Sequence, residues 1–98
     1  MFKKLIQKKY KNEVRFLLGN LRQIELYAKE YDSLDDLRGN IYALEEAINV
    51  FRDHYEYGKY SEEDISLFAY QIASMEETML ELKRTYVSIK KVLKNGKR

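Results

Sequence analysis

Cysteine is absent from the 98-residue chain, which excludes disulfides, thiolate metal ligands and thiol nucleophiles. Proline is absent as well, so no position forces a kink in a long helix. Glycine occurs only four times, at Gly19, Gly39, Gly58 and Gly96, and none belongs to a phosphate-cradling loop. Uninterrupted apolar runs are too short to span a bilayer. Near the start, Gln7, Lys8, Lys9 and Lys11 interrupt what would have to be the apolar core of a signal peptide, so the cytoplasm is the expected compartment.

What the chain does have is helix-forming composition. Hydrophobic residues make up 45% and charged residues 35%, the balance of one globular domain over residues 1–98 rather than a disordered tail. The formal net charge of +2 conceals strong segregation. Residues 1–15 carry six basic and one acidic side chain, residues 16–82 five basic and fifteen acidic, and residues 83–98 seven basic and none acidic.

Apolar residues return every three or four positions through three segments. Tyr10, Val14, Leu17, Leu21, Ile24, Ala28 and Tyr31 form the first stripe, and predict a helix from about residue 2 to 30. Asp32 or Ser33 then supplies an N-cap, with Asp35 and Asp36 in the first turn, where the helix dipole favours negative charge. The second stripe, Leu34, Leu37, Ile41, Leu44, Ile48, Phe51 and Tyr55, predicts a helix over about 34–57, closed by Gly58. Ser61 with Asp64 resembles a capping box and opens a third helix over about 62–94. Its stripe runs Ile65, Phe68, Ile72, Met75, Met79, Leu82, Tyr86, Ile89 and Leu93. Stripes of this kind must bury against one another, because propensity alone does not hold such helices in water. The expected fold is all-α: an antiparallel up-down-up three-helix bundle with coiled-coil-like packing. In that topology Lys90, Lys91 and Lys94 face Glu30, Asp32, Asp35 and Asp36, and the basic start of the chain faces Glu56, Glu62, Glu63 and Asp64.

Several apolar residues stand off the three stripes. Leu5, Phe16, Leu18, Leu26 and Tyr27 widen the first helix, and Leu67, Ala69, Tyr70, Ala73, Leu80 and Val87 widen the third. Part of this widening is ordinary core, since each helix of a bundle meets two others. The remainder predicts a second buried surface, with Leu5 and Leu26 almost opposite the seam and therefore its best markers. Nine tyrosines are many for this length, and the group Tyr55, Tyr57 and Tyr60 around Gly58 offers either a core rim or a contact for a partner.

Catalytic chemistry finds no foothold in the pattern. His54 is the sole histidine and has neither a second histidine for a metal nor an adjacent nucleophile. The pairs Glu45-Glu46 and Glu76-Glu77 fall off the seams and lack the Glu-x-x-His motif of metal-binding bundles. No enzyme activity, cofactor or metal is expected. The first expectation is a helical protein-interaction module of the inhibitor, immunity-type or regulatory-adaptor kind, a homodimer or the ligand of another protein. Its contact residues would be Leu5, Leu26, Tyr57, Tyr60, Leu67 and Tyr70. The alternative is a nucleic-acid-associated regulator whose Lys83, Arg84, Lys90, Lys91 and Lys94 touch phosphates. Phe2, Leu5 and Ile6 among lysines also permit peripheral membrane contact.

Overall fold

A computed structural model describes the backbone of residues 2–55 and 60–96 and the side chains of 13–53 and 60–96. Three helices account for almost all of it: α1 (Phe2–Ala28), α2 (Leu34–Tyr55) and α3 (Glu62–Asn95). No strand occurs among the described residues. Each helix packs against the other two, and the resulting bundle is a rod of 70 × 18 × 15 Å. The expected closure of α2 near Tyr57 and Gly58 lies outside the described residues.

Among the described side chains the stripes read from the sequence form the core, with Leu93 as the exception; those of Tyr10 and Tyr55 lie outside the described set. Val14 and Leu21 of α1, Leu37 and Leu44 of α2, and Phe68 and Met75 of α3 are the most completely enclosed large side chains. Leu17, Ile24, Tyr31, Leu34, Ile41, Ile65, Met79, Tyr86 and Ile89 pack half-buried against them. Leu18, off the first stripe, is also in the core, as the widening of a helix that meets two neighbours requires. Near the α2–α3 end Phe68 is clasped by two rings, Phe51 at 5.3 Å and Tyr60 at 5.2 Å between centroids, both tilted toward edge-on geometry.

α2 and α3 approach each other in reverse order. Arg52 is ion-paired with Glu76, Ile41 shares a groove with Lys83 and Tyr86, and Leu34 lies beside Leu93. α1 meets α3 at Glu25, level with Gln71, Ser74 and Thr78. Only three residues later α1 ends, whereas α3 continues to Asn95. The last turns of α3 therefore have α2 on one side and no third helix. This corrects one position of the third stripe: Leu93 is 52% exposed rather than enclosed.

Capping follows the sequence closely. The Asp36 amide donates to Ser33 Oγ at 3.1 Å, which settles the start of α2 on Ser33, and the Asp64 amide donates to Ser61 Oγ at 3.2 Å. The α1–α2 turn is tied by a residue the stripes do not flag. Asn40 Nδ2 donates to the carbonyl oxygens of Ala28 and Glu30, at 3.1 and 2.8 Å, satisfying orphan acceptors at the end of α1.

The expected pairing of Lys90, Lys91 and Lys94 with Glu30, Asp32, Asp35 and Asp36 does not occur as contacts. Among the described residues Arg52–Glu76 is the only ion pair. Exposed lysines gain too little Coulomb energy in water to hold one rotamer against a distant carboxylate. The matching expected at the start of α1 involves side chains outside those described.

Candidate interaction surfaces

The bundle is sealed on its inside and left apolar at several places outside. On α1 the residues Phe16, Leu26 and Tyr27 are 68%, 63% and 64% exposed. Phe16, Gly19, Gln23, Leu26 and Tyr27 follow three-four spacing, so they share one helical face, turned away from the side that carries Val14, Leu21 and Ala28. Leu26 thus stands opposite the seam, as expected. Leu5 belongs to the described backbone of α1, but its side chain lies outside the described set. A Cβ built on Gly19, in the middle of this face, meets nothing within 4 Å.

On α3, Leu67 is 46% and Tyr70 79% exposed, both available to a partner. Tyr60 is not: its ring is only 5% exposed, packed on Phe68, so of the two readings of the tyrosine group Tyr60 takes the packing one. Tyr57 lies outside the described residues.

Lys83, Arg84, Lys90, Lys91 and Lys94 are all exposed on the last turns of α3. By helical spacing Lys83, Lys90 and Lys94 form one row and Arg84 with Lys91 the next, a basic strip roughly 16 Å long. Lys90 Nζ stands 5.7 Å from the centre of the Tyr86 ring, over its face, the geometry of a weak cation–π contact. Beside this strip a shallow groove of about 320 Å³ between α2 and α3 is lined by Arg38, Ile41, Lys83, Tyr86 and Val87.

One polar cluster is built into the α1–α3 contact. Glu25 Oε1 accepts hydrogen bonds from Ser74 Oγ at 2.8 Å and Thr78 Oγ1 at 2.7 Å, and its Oε2 accepts from Gln71 Nε2 at 2.9 Å. Gln71, Ser74 and Thr78 lie on one row of α3, and Gln71 and Thr78 are buried. The donors of all three side chains converge on one carboxylate, which makes the cluster a structural fastening between helices. Among the described residues no group of three His, Asp or Glu side chains is arranged to hold a metal ion. No helix of the described residues is long and apolar enough to cross a membrane.

No protein-family model, curated protein or solved structure matches this chain.

Proposed function

We propose that the chain is a non-catalytic helical binding module that engages another protein through the outward face of α1. The observation that carries this reading is the exposure of Phe16, Leu26 and Tyr27 on one face while the bundle has already closed its own core. Large apolar side chains gathered on one face cost solubility and are typical of docking surfaces. Aromatic anchors supply most of the contact area in such interfaces, and the polar residues between them, Gln23 and Asn20 here, give the rim its hydrogen bonds. Inhibitors, immunity-type factors and regulatory adaptors are the roles this kind of module serves.

The test is site-specific photo-crosslinking in the source cell. A photoreactive residue at Leu26 or Tyr27 should trap one defined protein, and the same residue at Glu46 on α2 should not. Equal trapping from both positions, or from neither, contradicts the reading.

A second reading rests on the exposed basic strip of α3, free of ion pairs in the described set. In this reading Lys83, Arg84, Lys90, Lys91 and Lys94 contact the phosphates of a nucleic acid without reading its bases, so affinity falls steeply with salt. Replacing Lys90, Lys91 and Lys94 by Glu should abolish retention on a random duplex at low salt. No retention of the unaltered protein under those conditions removes this reading.

A further inference from the structure

α3 carries a second stripe on the side away from the core. Tyr70, Ala73, Glu77, Leu80, Arg84 and Val87 step by three, four, three, four and three residues, and all six are exposed. This is the spacing of a helix–helix seam, drawn on a face that no element of the described chain covers. Along the same helix charge is sorted by position. The acids of α3, Glu62, Glu63, Asp64, Glu76, Glu77 and Glu81, all precede its bases, Lys83, Arg84, Lys90, Lys91 and Lys94.

From these two facts we propose that a second copy of this chain docks on the outward stripe, with the two α3 helices antiparallel about a two-fold axis between Glu77 and Leu80. The axis places Tyr70 opposite Val87 of the second copy and Leu80 opposite Glu77 of the second copy, each contact occurring twice. Arg84 then lies about one helical turn from the level of Glu77 on the other copy, near enough for its long side chain to reach that carboxylate. By net charge the acidic half of each α3, residues 62–78, then lies along the basic half, 79–95, of the other, with Glu63 level with Lys94 and, near the axis, Glu76 level with Glu81. Parallel pairing would set acid on acid and base on base, which disfavours it.

The surface names its own occupant: both signs of charge are present, in the order that a two-fold mate requires. A helix pair in contact over this length hides on the order of 1,200 Å² in total, the lower end for a specific interface. Dissociation constants of roughly 10 μM suit an interface of that size with polar positions in its stripe. This assembly uses a different face from the α1 surface of the proposed function and leaves Leu26 free.

Sedimentation equilibrium across a concentration series tests it, with far-UV circular dichroism confirming that each variant keeps its helicity. A reversible monomer–dimer equilibrium is expected. Leu80→Glu, Glu77→Lys and Arg84→Glu should each weaken it by about tenfold or more. Combining Glu77→Lys with Arg84→Glu in one chain should restore it, as should mixing the two single variants. Leu26→Glu should leave it unchanged. Under mild oxidation, chains carrying both Tyr70→Cys and Val87→Cys should form covalent dimers and chains carrying Tyr70→Cys alone should not. A monomer at all concentrations up to about 1 mM overturns the proposal. So does a dimer that ignores the α3 charge reversals, one that is lost with Leu26→Glu, or a Tyr70→Cys chain that links to itself. A monomer that still photo-crosslinks a partner from Leu26 would sink the dimer and spare the proposed function.

Discussion

At the scale of single residues, the fastening at Glu25 is the least legible part of the molecule. In the sequence Glu25 looks like one more charge on a solvated helix face, and its partners lie 46, 49 and 53 positions away. Only the packing of α1 on α3 brings them together. Asn40 is hidden for a related reason, since a side chain reaching back to Ala28 and Glu30 is visible only once the turn between helices has a shape. Ser33 and Ser61 are readable because an N-cap acts within its own first turn. Glu25→Ala leaves the buried donors of Gln71 and Thr78 unpaired and should cost about 2–3 kcal/mol of stability, measured by urea unfolding. Glu25→Leu combined with Gln71→Leu and Thr78→Val replaces most of the cluster by apolar groups and should recover most of that loss. A smaller effect, about 1 kcal/mol, is expected for Asn40→Ala, read in the same experiment.

At the scale of elements, three-four spacing is enough to locate all three helices because each stripe has only one side on which to bury. The starts of α2 and α3 are marked by caps, and the end of α1 at Ala28 falls two residues short of the expected limit. There the Lys29 and Glu30 amides donate to the Leu26 and Tyr27 carbonyls in a tightened last turn. Periodicity carries no information about where a neighbouring helix stops, which is why Leu93 keeps its place in the stripe but lacks cover. Gly19 and Gly39 sit inside helices where an added methyl group would meet nothing within 4 Å, so neither is needed for close approach within the chain. Gly19→Ala and Gly39→Ala should each stabilise the bundle by about 0.5–1 kcal/mol. For a domain of this size that raises the thermal midpoint by roughly 2–8 °C, measurable by calorimetry. A drop in midpoint for Gly39→Ala would mean that something packs on that bare backbone.

At the scale of the whole molecule, the described core is enclosed where all three helices meet and open at the last turns of α3, and the outside is unevenly finished. Its core depends on residues from all three helices, so truncating one middle residue should loosen the entire bundle. Met75→Ala, at a fully enclosed position of α3, should cost about 2–5 kcal/mol and lower the denaturation midpoint of all three helices together. The outward surfaces on α1 and α3 are only partly readable. Leu26, Leu67 and Tyr70 stand out as apolar residues beyond the seam, but the inward turn of Tyr60 is not visible, because a tyrosine next to a loop packs or protrudes according to what lies across from it. The alternate stripe of α3 is diluted by Glu77 and Arg84, so hydrophobicity alone does not disclose it.

The up-down-up course expected of the three rods from their short turns decides which of these surfaces share a side. It is tested by distances between spin labels at exposed positions, in samples diluted with unlabelled protein. With α1 and α3 running the same way, labels at Glu13 and Glu63 should lie within about 20 Å, roughly the width of two packed helices. Labels at Glu13 and Lys91 should be about 40 Å apart or more, the length of α3 between Glu63 and Lys91. A short Glu13–Lys91 distance paired with a long Glu13–Glu63 distance would contradict the arrangement.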